Sequence, residues 1–290
     1  MNFEEQALVF SCGDARLIAI ISSPANPLPR GVLIVVGGPQ YRAGSHRQFT
    51  LLCRALAERG IAAMRFDYRG MGDSEGETRD FEDVRPDIRA AVDQFCVQVP
   101  GLREVAIWGL CDAASAALFY AHQDSRITGL VLLNPWVRTP AGIAKTRLKH
   151  YYWSRFIDKE FWRKVARGEF AFATAARSFA GALMTAFGAG KRGAAAGNAL
   201  LVPARAAASL PERMAEGLGR FNGKVLLILS GKDLTAQEFG EVARASRHWR
   251  KLLSASRVER RDLLAADHTF SRREWRDQVA AWTAEWVRSW

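Results

Sequence analysis

One stretch of the chain has the residue types of a nucleophile site: Val105–Ala106–Ile107–Trp108–Gly109–Leu110–Cys111–Asp112–Ala113–Ala114–Ser115–Ala116–Ala117. A run rich in β-branched and aromatic residues ends at a glycine, and an alanine-rich segment of high helix propensity begins soon after. The stretch therefore reads strand, sharp turn, helix. Cys111 stands at the turn with Gly109 and Ala113 two residues to either side, where a tight strand-to-helix turn admits only small side chains. G-x-C-x-A is thus a cysteine form of G-x-S-x-G. A thiol held there lies at a helix N-terminus, whose partial positive charge favours a thiolate, the reactive species in acyl transfer through a thioester. A single cysteine at a strand end is more often a small core residue than a catalyst, so the case rests on its partners.

Two partners follow. Asp233 ends the run Val225–Leu229 through the turn Ser230–Gly231–Lys232–Asp233, and His268 lies in Ala265–Ala266–Asp267–His268–Thr269–Phe270. Alone, the aspartate reads as a turn residue or helix cap, and the histidine as an ordinary surface or core residue. Together, Cys111, Asp233 and His268 stand in the order nucleophile, acid, base, each after a successive strand. Asp262 and Asp267 are rival acids, but neither follows the preceding strand. Ser115, one helical turn beyond Cys111, reads as a packing residue. Asp112 carries a charge that opposes a thiolate, so only its backbone N–H is assigned a role, as an oxyanion donor. The second donor must come from Gly37–Gly38–Pro39–Gln40, where Pro39 has no N–H, and Gln40 is the choice.

These loops need a scaffold that brings them to one edge. Leu17–Ile21, Val32–Val36, Ala62–Asp67, the strand before Cys111, Gly129–Asn134 and Val225–Leu229 read as strands, and Val258–Leu264 as a charge-interrupted edge strand. Helical stripes alternate with them: Phe49, Leu52, Cys53 and Leu56, stopped by Gly60; Val84, Ile88, Ala91, Val92, Phe95 and Val99, stopped by Pro100–Gly101. A last helix carries Trp275, Val279, Trp282 and Trp286, with Ser271 and Glu274 as a capping box. Strands alternating with helices predict a parallel sheet covered on both faces. Tyr68–Arg69–Gly70–Met71–Gly72–Asp73–Ser74 reads as a compact structural loop, since it has neither G-x-G-x-x-G spacing nor a Walker lysine.

The alternation stops at Pro135. From there to Asn222 no strand pattern appears, and Trp153, Ile157, Phe161 and Val165 recur among lysines and arginines from Lys145 to Arg167. The expectation is a helical insertion at 135–222 between core segments 1–134 and 223–290, with the small-residue stretch Ala180–Ala199 mobile. The aromatic stripe reads first as packing and second as a basic amphipathic surface for an anionic membrane or acidic substrate.

Composition narrows the classes. Hydrophobic residues make up 49%, ample for a core, and the net charge of +11 comes from 41 Lys and Arg against 30 Asp and Glu. Much of that excess is Arg scattered through helices and loops without a nucleic-acid motif, so no nucleic-acid partner is expected. The four cysteines show no C-x-x-C pairing and the five histidines no ligand-like pair, so neither metal, cofactor nor disulfide framework is expected. Met1–Gln6 is acidic without the basic start and apolar core of a signal peptide, so the chain reads as cytoplasmic. The oligomeric state is left open.

The elbow Gly109–Ala113, the loop Asp67–Ser74, the Gly231–Lys232–Asp233 turn and Asp267–His268–Thr269–Phe270 together resemble the α/β-hydrolase superfamily. The resemblance implies a mostly parallel eight-stranded sheet with a helical cap after the sixth strand. More narrowly, Gly37–Gly38–Pro39–Gln40–Tyr41–Arg42 followed by Ser45–His46–Arg47–Gln48–Phe49, with the cysteine elbow, resembles the hydrolase 1 group associated with the exosortase A system in bacteria making exopolysaccharide. Serine is the usual nucleophile of the superfamily, and cysteine occurs in members resembling dienelactone hydrolase. The expected function is a cysteine hydrolase of ester or thioester bonds on a small-molecule or acyl-carrier substrate. Alternatives are an acyltransferase with the same triad and a catalytically silent binding or scaffold protein.

Overall fold

The computed structural model describes residues 3–38, 40–138 and 208–290. Most of the expected insertion, including the Trp153–Val165 stripe, the basic stretch Lys145–Arg167 and Ala180–Ala199, lies outside the described residues, as does Pro39.

The strands are β1 (Phe3–Cys12), β2 (Ala15–Pro24), β3 (Arg30–Val35), β4 (Ala63–Asp67), β5 (Glu104–Leu110), β6 (Ile127–Leu133), β7 (Lys224–Ser230) and β8 (Val258–Leu263). They form one eight-stranded sheet in the order β1-β2-β4-β3-β5-β6-β7-β8. β1 pairs antiparallel with β2 and β2 antiparallel with β4, and all the other pairs are parallel. The β1–β2 hairpin was not expected from the sequence. Its two-residue turn, Gly13–Asp14, relies on the positive φ of 60° at Gly13.

Helices α1 (Gln48–Ala57), α2 (Arg85–Gln98), α3 (Asp112–Tyr120), α4 (Leu210–Arg220), α5 (Leu234–Ala245), α6 (Arg247–Leu253) and α7 (Arg273–Arg288) accompany the sheet among the described residues. The central strands have no polar face because both faces are covered. On one, Val32, Ile34, Trp108, Val131 and Ile228 pack with Phe49 and Leu52 of α1 and Val279 and Trp286 of α7. On the other, Gly31 admits the Phe95 ring of α2, where a Cβ would meet that ring at 2.8 Å. Each aliphatic side chain fully buried in this way contributes about 1.5–3 kcal/mol.

Two local expectations are corrected. Ser271 does not cap α7: its hydroxyl donates to the Asp267 carboxylate, and the N-cap residue is Arg272, without a side-chain cap bond. Helix α4, placed by sequence within 135–222, belongs to the compact unit formed by Met1–Val137 and Pro211–Trp290. Met214 and Leu218 are buried, and Gly217 sits so close to the Leu118 carbonyl that a Cβ would come within 2.2 Å.

The Asp67–Ser74 loop has the structural role its composition suggests. Buried Asp67 accepts from Arg42 N at 2.5 Å and Asp73 N at 3.1 Å and pairs with the Arg42 guanidinium, while Ser74 Oγ donates to Asp67 O at 2.6 Å. Gly72 is required there, since a Cβ would fall 2.3 Å from the Asp67 carboxylate. Among the described residues no helix is long and apolar enough to cross a membrane.

Candidate active site

From β3 the chain steps to β4 on one side and then returns to place β5 on the other. This reversal of strand order opens a crevice beyond the carboxyl ends of β3 and β5, the usual place for a ligand in such sheets. Gly37–Gly38 leaves β3 there and Cys111 leaves β5.

Cys111 has φ 65° and ψ −124°, a strained conformation for a residue with a side chain. Backbone bonds hold it: Cys111 N donates to Leu133 O at 2.9 Å, and Ala114 N and Trp136 N both donate to Cys111 O at 3.1 Å. A Cβ on Gly109 would meet the Ala113 backbone at 2.6 Å, so the glycine is a steric requirement of the elbow. Gly109→Ala is therefore expected to lower unfolding free energy by about 1–3 kcal/mol in a urea titration, because that backbone must shift. Unchanged stability would show that the turn is less tight. Ser115 is fully buried and donates to Trp136 O at 2.7 Å, which fits packing rather than chemistry.

The expected partners converge. Nδ1 of His268 lies 3.0 Å from Oδ2 of Asp233, and the imidazole is close enough to Cys111 for that side chain to shift its titration. The carboxylate lies off the Nδ1–H direction, so the contact is an ion pair rather than a linear hydrogen bond. The Asp233 carboxylate first, and Cys111 second, raise the His268 pKa to about 10. Asp233 is itself fixed as the N-cap of α5, accepting from Thr235 N at 3.2 Å and Ala236 N at 3.0 Å. The rival acids are engaged elsewhere: Asp262 with Arg260, and Asp267 with Ser271 N at 3.0 Å and the Ser271 hydroxyl. Burial pushes the Cys53 thiol up to about 12 and also raises those of Cys12 and Cys96.

The oxyanion side differs from expectation. Gln40 N donates to Gly38 O at 2.8 Å, and the Gln40 side-chain oxygen accepts from Ser45 N at 3.0 Å. The Gln40 amide chosen as second donor is therefore already committed. Asp112 is the first residue of α3, and its carboxylate has a role the sequence did not suggest. It accepts from Gly38 N with both oxygens at 2.9 Å and from Ala113 N at 2.9 Å. Burial raises its carboxyl above the ordinary value against those donors. Gly37 makes room for it, since a Cβ there would lie 2.3 Å from Asp112 Oδ1.

Among the described residues no group of His, Cys, Asp or Glu is arranged to hold a metal ion.

Residues 27–165 match the family described as serine aminopeptidase, S33, a span that carries the Gly37–Gly38 loop and the elbow but ends before Asp233 and His268. No curated protein matches the chain. Among solved structures, the Pyrococcus furiosus esterase Pf2001 superposes with a TM-score of 0.63 at 15% identity, covering 99% of this chain and 93% of that one. Dienelactone hydrolase from Anabaena variabilis gives 0.60 at 15%, covering 99% and 97%. Est1E from Butyrivibrio proteoclasticus, solved with ferulic acid bound, gives 0.59 at 15%, covering 96% and 98%. Taken with the strand order and the turn after β5, these superpositions show that the chain has the α/β-hydrolase fold.

Proposed function

We propose that this chain is a cytoplasmic cysteine-nucleophile hydrolase of ester or thioester bonds. The observation that carries the reading is the strained Cys111 at the elbow, next to an imidazole whose Nδ1 lies 3.0 Å from the Asp233 carboxylate. Similarity to structures described as an esterase and a dienelactone hydrolase supports the bond class.

The chemistry follows from the positions. Cys111 Sγ attacks the acyl carbonyl, and the proton it leaves behind resides on His268, kept there by Asp233. The tetrahedral oxyanion forms beside Asp112 N–H, and one such donor is worth roughly 3 kcal/mol of barrier. Collapse breaks the bond to the leaving alkoxide or thiolate, which takes the His268 proton and departs as alcohol or thiol. Water then gives a proton to His268 and attacks the acyl-thioester, releasing the acid and restoring the cysteine. An acceptor alcohol or amine in place of water would make the same site an acyltransferase. The resemblance of the Gly37–Arg42 and Ser45–Phe49 segments to exosortase A-associated hydrolases supports a setting in envelope polysaccharide formation.

The test is turnover of short-chain p-nitrophenyl esters and acyl thioesters by the full chain, with mass spectrometry of the trapped acyl-enzyme. Acylation of a Cys111-containing peptide is the expected result. No turnover and no acyl adduct in the folded protein would shift the reading to a silent binding protein.

A further inference from the structure

Asn134 closes β6 at a position no sequence motif singles out. It is fully buried and takes a positive φ of 44°, a conformation that asparagine tolerates better than most side chains. Its backbone N–H continues the ladder to Ile228 O at 3.2 Å. Its side chain then reaches the end of β7 and the loop that follows β8. Oδ1 accepts from Ser230 N at 2.9 Å, and Nδ2 donates to Ser230 Oγ at 2.9 Å and to His268 O at 3.2 Å. Ser230, also buried, donates from Oγ to Asp267 O at 2.9 Å. Two side chains thereby hold the carbonyls of Asp267 and His268, consecutive residues of the loop that carries the imidazole.

This pair is more polar than strand ends in an apolar core require. Buried polar groups cost free energy unless satisfied, and a fully satisfied network fixes one geometry. Here that geometry is the height and direction of the His268 backbone over β6 and β7. The carboxylate of Asp233 does not set it alone, because it meets Nδ1 from the side. Lys232 N, donating to Ala266 O at 3.0 Å, anchors only the start of the same loop.

We infer that Asn134 and Ser230 are positioning residues for His268, holding its main chain so that the imidazole meets both Cys111 and Asp233. The inference rests on the proposed triad, and neither residue is placed on substrate. Displacing a reacting group by about 1 Å costs on the order of 10²-fold in rate, which sets the scale of the expected effect.

The experiment uses the full chain with Ser230→Ala, Ser230→Thr and Asn134→Gly, the last keeping access to the positive φ. Two readouts are taken on the folded protein: kcat and KM for a p-nitrophenyl ester, and the titration of the His268 imidazole by NMR, whose facing ionisable groups are Asp233 and Cys111. Ser230→Ala and Asn134→Gly are expected to lower kcat by about 10–100-fold with KM little changed. They should also move the His268 midpoint down from about 10. Ser230→Thr, which keeps the hydroxyl, should restore both. A parent-like kcat and midpoint in Ser230→Ala, or a loss of stability with the His268 titration unchanged, would overturn the inference. If the parent turns over no ester, the function reading fails, and the His268 titration still decides the positioning role. If Asn134→Gly does not fold, the two Ser230 variants decide it.

Discussion

Replacing Cys111 by alanine is expected to abolish ester and thioester turnover, a loss of about 10⁴–10⁶-fold on the scale seen for covalent nucleophiles. Thermal stability should stay close to that of the parent, because Cys111 is only partly buried and its backbone is held by Leu133, Ala114 and Trp136. Alkylation sharpens the test. Burial raises the thiols of Cys12, Cys53 and Cys96, so iodoacetamide at neutral pH should modify Cys111 alone. Peptide mapping that finds label elsewhere first, or turnover surviving in Cys111→Ala, would remove the cysteine from the mechanism. Ser115 does not offer an alternative nucleophile, since its hydroxyl is buried and committed to Trp136 O.

The second large effect is expected from Asp233→Asn. Asparagine caps helices about as well as aspartate, so the bonds to Thr235 N and Ala236 N can persist and α5 should keep its start. What disappears is the negative charge behind His268. Turnover should fall by up to about 10⁴-fold, as when the acid of such a triad becomes an amide. The pH dependence has a definite sign. A histidine whose pKa is raised from 6.5 to about 10 binds its proton more tightly in the folded state. That contribution is complete below the unfolded value and is lost as pH rises through the folded one. The parent should therefore lose stability progressively between about pH 6.5 and 10, and the variant should lose less over the same window. Urea titrations at three pH values check the sign. Equal slopes for the two proteins would mean that Asp233 does not hold the proton on His268.

The oxyanion side bears on both results. Gln40 N–H is bonded to Gly38 O and Gly38 N–H is held by the Asp112 carboxylate, so neither of these two amides points freely at an acyl oxygen. The carboxylate also explains Gly37, where a Cβ would lie 2.3 Å from it, while Gly38 is called for by its positive φ of 61°.

Much of this was legible in the sequence because the signals are local and periodic. Buried parallel strands show as unbroken apolar runs, so β3, β5, β6 and β7 are plain, and the elbow announces itself through Gly109, Cys111 and Ala113. The order Cys111, Asp233, His268 is likewise a property of the chain, since a parallel sheet delivers successive loops to one edge. Other features were hidden for physical reasons. β1 lies at the edge of the sheet, and much of it is exposed, so it lacks a clear apolar face. Helix α4 falls in a stretch without strands, and only its packing against Leu118 assigns it to the core unit. Ser271 and Glu274 have capping-box spacing, but the Ser271 hydroxyl finds the Asp267 carboxylate instead.

The sequence by itself determined the strand succession, the elbow chemistry and which three side chains could form a triad, because periodicity, residue size and chain order suffice for those. Only the tertiary structure decided how Asp233 and His268 are held and which backbone amides near the elbow are already engaged. Asp233 meets His268 from the side, Asn134 and Ser230 tether the His268 loop from two neighbouring strand ends, and Asp112 turns its carboxylate onto Gly38. Hydrogen bonds between residues dozens of positions apart depend on register and direction in space, and those are fixed only when the strands have been laid side by side.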